Sequence, residues 1–315
     1  MTSVARPHWA AMGESTFVFG IWLLYGVHRV FGRWPFRVCL YPVVVLHWAS
    51  RSTLRRASMQ YLARIEATTG ALGHAPRQRD SLRHVALFAE TMLDKLLAVA
   101  GRYPFAQVRT EGREQLYDYA RGGRGAVIVT AHIGCLELCR AMAEKHAAVK
   151  LNVLVHTHHA VRFNRILQGL SPNHEVALIE VSEIGVATAV LLAAKIDAGE
   201  FIVIAGDRVP VQASKTVAAE FLGHVAPFPI GPYVLASLLR CPLYLLGCIH
   251  EGTSYRILVE CLAQQVLLPR ATRGQALREH AQRYADALTR LLARAPYDWF
   301  NFFPFWEQRH DDAVH

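Results

Sequence analysis

Residues 125–157 read GAVIVTAHIGCLELCRAMAEKHAAVKLNVLVHT. The opening GAVIVTA is apolar without alternation and rich in β-branched side chains, which predicts a strand buried on both faces. LELCRAMAEKHA then takes up a helical period, and KLNVLVHT returns to a strand. Downstream the alternation continues: AVRFNRILQGL as helix, HEVALIEV as strand, GVATAVLLAAKIDAG as helix, EFIVIAGD as strand. Apolar strands separated by helices predict an α/β fold, with a mostly parallel central sheet covered by helices on both faces. PLYLLGCI and YRILVEC flank a turn at Glu251 and Gly252 and read as an antiparallel edge pair. A long helix, RGQALREHAQRYADALTRLLARA, follows, and the chain closes on the aromatic YDWFNFFPFWEQ.

Upstream of the alternation, the stretch from Ser50 to about Gly101 is helical in pattern, and REQLYDYARGG adds a short helix. Two apolar blocks near the start, TFVFGIWLLYGV and PFRVCLYPVVVLHWA, are joined by HRVFGRW. Each is shorter than the roughly 20 residues of a bilayer-spanning helix. They predict an interfacial or re-entrant hairpin, ahead of a tilted span or a buried core helix, with Trp22, Trp34 and Trp48 suited to the headgroup level. The expected division is a membrane-associated helical segment over residues 1–50 and a catalytic domain over 51–315.

Composition agrees with a membrane-facing protein: 52% of the 315 residues are hydrophobic and only 19% charged. Lys and Arg number 34 against 25 Asp and Glu, a net charge of +9. Much of that excess lies beside the apolar start, at Arg6, Arg29, Arg33, Arg37, Arg51, Arg55, Arg56 and Arg64. Basic residues flanking apolar ones suit an anionic membrane surface, whereas a nucleic-acid role lacks a stacking platform or a binding motif. The six cysteines form no CxxC pair, consistent with a reducing compartment. Acidic Glu14 ahead of the apolar run, with no small-x-small site close behind, argues against a signal peptide.

In an open α/β sheet, ligands meet the carboxyl ends of the strands. His132 stands at such an end, Gly134 permits a tight turn into the helix, and Glu137 falls in its first turn. A carboxylate on one imidazole nitrogen fixes the tautomer and leaves the other to take a proton from a hydroxyl, so His132 is the expected general base and Glu137 its orienting partner. A capped surface histidine with an unrelated helix glutamate is the bland account of the same spacing. Cys135 lies in the motif but pairs with Cys139 at helical spacing, which marks a packed face better than a nucleophile. His156, His158 and His159 invite a metal reading, but no carboxylate or cysteine at ligand spacing completes a sphere, so no metal is expected. Arg162 and Arg165 follow the second strand, and Asp207 and Arg208 end FIVIAGD; arginines there can steady an oxyanion or clamp a phosphate. GPYVLASLLR starts with Gly231 and Pro232, a favoured helix opening whose amides can face an anion.

The order of these blocks resembles the bacterial lipid A late acyltransferase branch of the lysophospholipid acyltransferase superfamily. TAHIGCLEL is similar to its His-x4-Asp/Glu block, VHTHHAVRFNRIL to its second, FIVIAGDRVPV to its third, and AEFLGHVAPFPIGPYVLASLLRCPLYLLGCI to the block with Phe-x-Gly and a helix-starting proline. The resemblance implies O-acyl transfer from an acyl carrier protein or coenzyme A thioester to a lipid hydroxyl, at the cytoplasmic face of an inner membrane. No cofactor beyond the thioester co-substrate is implied. His132 and Glu137 then correspond to the catalytic pair, and Arg162, Arg165, His158, Asp207 and Arg208 to substrate-binding positions. Arg208 stands where the family usually has glutamine, His158 stands near its usual arginine, and FNFFPFWEQ replaces a Trp-rich basic ending. These departures leave the acceptor open between a lipid A precursor and another glycolipid or pigment lipid. A hydrolase using the same pair and a non-catalytic lipid-binding assembly subunit are the rival readings.

Overall fold

In a computed structural model of the chain, the described residues are 25–145, 149–155, 178–180, 185–209 and 216–307. Val127–Thr130, the strand of the opening stretch, is β2, and all four of its residues are buried. It lies inside a seven-stranded sheet. In chain order the others are β1 (Arg109–Glu111), β3 (Leu151–Val155), β4 (Leu178–Glu180), β5 (Phe201–Ala205), β8 (Leu243–Glu251) and β9 (Ser254–Ala263), in the spatial order β1-β9-β8-β2-β5-β3-β4. Every pairing is parallel except β8 with β9. The expected mostly parallel sheet is therefore present.

Strand alternation sends neighbouring residues to opposite faces, and both faces are apolar. Val127, Val129, Ile202 and Ile204 belong to one hydrophobic cluster, whereas Ala126, Ile128, Phe201 and Val203 belong to the other. The α-helices bounded within the described residues are numbered α1 (Arg33–Ser50), α2 (Ser52–Thr69), α3 (Gln78–Val99), α4 (Glu114–Arg121), α5 (Leu136–Lys145), α6 (Val186–Asp197), α7 (Gly231–Leu238) and α8 (Arg273–Arg294). The first face is covered by α2, α6, α7 and α8, which contribute Leu62, Leu192, Leu235 and Leu288; the second by α1, α3, α4 and α5, with Leu40, Leu96, Leu116 and Leu138.

Two elements differ from the expectation. β8 and β9 do form the antiparallel hairpin, turning at Gly252 with φ 61°, but they are not the edge. β1, in a stretch without a strand-like run, pairs with β9 and takes that place. In addition, β6 (Thr216–Phe221) and β7 (His224–Pro229) make a separate antiparallel ribbon. Pro227 and Pro229 disguise it, because proline removes a ladder donor; a two-stranded ribbon tolerates this along its outer edge.

The second of the two apolar N-terminal blocks is α1, which runs unbroken with Pro42 inside it. One side buries Phe36, Leu40 and Val44, and its polar residues reach α3: Arg33 donates to both Asp94 oxygens at 2.7 Å, and Arg37 to Glu90 at 2.7 Å. Its other side exposes Trp34, Val38, Val45 and Leu46. No helix among the described residues is long and apolar enough to cross a membrane. Trp22 and the first block up to Leu24 lie outside the described residues.

Candidate functional site

The strands β2 and β5 are neighbours in parallel register, with Thr130 opposite Ala205, so the residues leaving their carboxyl ends meet. Those residues are His132 and Asp207. The imidazole Nδ1 lies 2.8 Å from Asp207 Oδ1, and the His132 backbone N–H donates to Oδ2 at 2.9 Å. Oδ2 also accepts from Trp299 Nε1 at 2.9 Å and Asn301 Nδ2 at 3.0 Å. Asp207 is fully buried, so four donors replace the water it has lost. Burial would raise its pKa, but the facing imidazole, the Arg208 guanidinium and the donated hydrogen bonds outweigh that and bring it down to about 2. The carboxylate is thus ionised and acts as acceptor only, which makes Nδ1 the donor and leaves the Nε2 lone pair outward in the neutral ring.

About a third of the His132 side chain, 35%, is solvent accessible. Nε2 enters no hydrogen bond among the described residues. The imidazole pKa is lowered: desolvation of the ring and the charge of Arg208 outweigh the raising effect of Asp207. A neutral, oriented imidazole with one available lone pair is the form that accepts a proton from a hydroxyl. Arg208 is held by Asn301 Oδ1, to which its Nε donates at 3.0 Å, and by the Phe300 carbonyl at 3.3 Å. The arginine, the asparagine, the aspartate and the histidine therefore form one chain of hydrogen bonds.

Glu137 does not orient His132. It sits in the first turn of α5, which faces α3, and its carboxylate lies 3.3 Å from Lys95 Nζ. The five-residue spacing places it beyond a sharp turn. Gly134 takes φ 51° there, and a Cβ in its place would come within 1.7 Å of the Cys248 carbonyl oxygen. The orienting carboxylate is Asp207, read from sequence as a substrate-binding residue. Cys135 is buried, and desolvation with the Glu137 charge pushes its thiol well above the usual range, which disfavours a thiolate nucleophile.

His158, Arg162 and Arg165 lie outside the described residues, as do His156 and His159. The residues that sequence reasoning missed are Trp299 and Asn301. Both come from the aromatic closing stretch, whose Ile133–Trp299 bridge and Phe300 N to His132 O bond, 2.8 Å, lash it along the strand exits. The available signal was an Asp and an Asn inside an otherwise apolar run; Asp298 and Asn301 are both nearly inaccessible, so each needs a buried polar partner. No protein-family model matches the chain, and no curated protein matches it significantly.

Proposed function

We propose that the protein is a membrane-associated O-acyltransferase, moving a fatty acyl chain from an acyl carrier protein or coenzyme A thioester to the hydroxyl of a lipid acceptor. The supporting observation is the His132–Asp207 contact of 2.8 Å at the carboxyl edge of a parallel sheet, with Nε2 left to act as base. The resemblance of the motif order to the lipid A late acyltransferases supplies the reaction class. A lipid A precursor, another glycolipid or a pigment lipid fits as acceptor.

In this reading the acceptor O–H hydrogen-bonds to His132 Nε2 and its oxygen attacks the thioester carbonyl. The proton passes to Nε2, giving an imidazolium that Asp207 stabilises without itself taking the proton. Collapse of the tetrahedral oxyanion breaks the C–S bond, the leaving sulfur takes the proton back, and ester and thiol result. Desolvation of the ring and, after it, the Arg208 charge disfavour protonation before the reaction, which keeps the base available.

The test is mass spectrometry of lipids from cells making the wild-type chain or His132→Ala, together with thioester turnover by both purified proteins. An acylated lipid that disappears with His132→Ala, and turnover lower by about 10²–10⁴-fold, is the expected result. Wild-type acylation by His132→Ala overturns the proposal. Free fatty acid without any acylated lipid identifies a hydrolase instead, and acyl-lipid binding without turnover in either protein identifies a binding subunit.

A further inference from the structure

The geometry at His132 occurs a second time, one strand away. His250 lies near the carboxyl end of β8, the neighbour of β2, and its Nδ1 lies 2.9 Å from Asp298 Oδ1 while its backbone N–H donates to Oδ2 at 2.5 Å. Asp298 is only 1% exposed, and Tyr255 packs its ring 4.2 Å from the imidazole centroid. A carboxylate removed from water and spent on one imidazole fixes that ring's orientation. Its Nε2 enters no hydrogen bond among the described residues, and 19% of the side chain is accessible. The acyl-transfer reading gives this histidine no task.

His250 lines a cleft of about 460 Å³ whose other polar walls are His74, Arg83, Arg294 and Asp298. Leu87 and Tyr297 add apolar wall. Asp298 is the one carboxylate among the lining residues, and both its oxygens are turned onto His250. Carboxylates near the rim are engaged as well: Glu111 accepts from Arg294 at 3.2 Å, and Asp80 accepts from the Tyr297 hydroxyl at 3.1 Å and lies 3.9 Å from His74. Arg83 holds its guanidinium carbon 4.4 Å from the Tyr297 ring centroid, a cation–π contact that keeps the charge at the cleft wall. Two guanidiniums, which donate, and an oriented imidazole lone pair, which accepts from a P–O–H, match a singly protonated phosphoryl group with three terminal oxygens better than a single carboxylate.

We infer that this cleft is a second ligand site, binding the phosphoryl group of a phosphate monoester, with Arg83 and Arg294 as its donors and His250 Nε2, whose ring gives its Nδ1–H to Asp298, accepting from the ligand's P–O–H. The inference is independent of acyl transfer. A lipid phosphate and a small free phosphate present the same chemistry, and the apolar wall of Leu87 and Tyr297 separates the two sources.

Titration calorimetry of the full chain with inorganic phosphate and with short-chain dihexanoyl phosphatidic acid, below its micelle concentration, tests the site. Saturable one-to-one binding of at least one probe is expected, weakened at least tenfold in Arg83→Gln and in His250→Asn. His132→Ala removes the proposed acyl-transfer base and leaves this binding at wild-type strength, so the two proposals fail separately. Phosphatidic acid binding at least tenfold tighter than phosphate assigns the site to a lipid headgroup; equal binding assigns it to a free phosphate. No saturable binding of either probe, or binding unchanged in Arg83→Gln, overturns the inference; Arg83 is exposed, so that variant is decisive even where His250→Asn does not fold.

Discussion

At the scale of single residues, the site turns on which carboxylate holds His132. Asp207 does so from 75 positions away in sequence, through both the ring and the backbone of the histidine, whereas Glu137 spends its charge on Lys95. Asp207→Asn keeps the shape but replaces an acceptor-only group with an amide. The amide can donate to Nδ1 and so favour the tautomer with its proton on Nε2, the wrong one for a base. Turnover is expected to fall about 10²–10⁴-fold with little change in KM. Glu137→Gln removes one ion pair between partly exposed groups, worth under about 1 kcal/mol, so its turnover should stay within about fivefold of wild type. Steady-state kinetics of the two variants side by side decides the matter: equal losses in both, or a larger loss in Glu137→Gln, would return the orienting role to Glu137. The strand exits carrying His132 and Asp207 were legible in the sequence because both follow unbroken apolar runs. Their pairing was not, because adjacency of β2 and β5 is a property of sheet order that no local spacing encodes.

At the scale of elements, the parallel strands and the helices between them announce themselves through period, and so does the β8–β9 hairpin. What stayed hidden is held by long-range contacts: β1 exists because β9 offers it an edge, and the closing aromatic stretch is ordered by the polar groups it covers. His84 on α3 is one such group. It is fully buried, and the Trp299 carbonyl, 2.8 Å from Nε2, can only accept, so Nδ1 accepts from Ser58 at 3.0 Å. Burial lowers its pKa from 6.5 to about 4. The unfolded chain therefore takes up a proton between pH 6.5 and 4 that the folded chain refuses. The His84 contribution is fully present above pH 6.5 and is lost as pH falls to about 4, a change on the order of 3 kcal/mol. Urea unfolding across that range should show a steeper pH slope in wild type than in His84→Gln, by up to one proton; equal slopes would mean that the imidazole titrates normally. The strand-to-helix turn gives a second expectation. Gly134→Ala meets both a left-handed φ and the Cys248 carbonyl, so it should destabilise by more than about 2 kcal/mol, seen as a lowered Tm together with lost turnover.

At the scale of the whole molecule, the proposed function asks for two attractions in a chain with a net charge of +9, and they are separable by salt. α1 docks on α3 through one side, and the other presents Trp34, 75% exposed, with Val38, Val45 and Leu46. These side chains have basic neighbours in Arg37, half exposed, and in Arg51 and Arg55 just beyond the helix. In the proposed function this face lies in the headgroup region of an anionic bilayer. Burying an aliphatic or aromatic side chain is worth about 1.5–3 kcal/mol each, and that part of the attraction is insensitive to screening. Docking of the proposed acidic acyl carrier protein, by contrast, would rest on charge complementarity and weaken once the Debye length shortens from about 10 Å at 0.1 M salt towards 3 Å at 1 M. Raising salt over this range should therefore lower kcat/KM for the carrier-bound thioester at least tenfold while most of the protein stays with sedimented anionic vesicles. Trp34→Glu with Leu46→Glu should do the reverse, releasing the protein from vesicles and sparing turnover of a soluble thioester. Both positions face solvent away from the sheet, so the fold should survive, which circular dichroism checks. Vesicle binding unchanged in the double variant would remove α1 from the membrane contact, and salt-insensitive kcat/KM would remove the acidic carrier as donor.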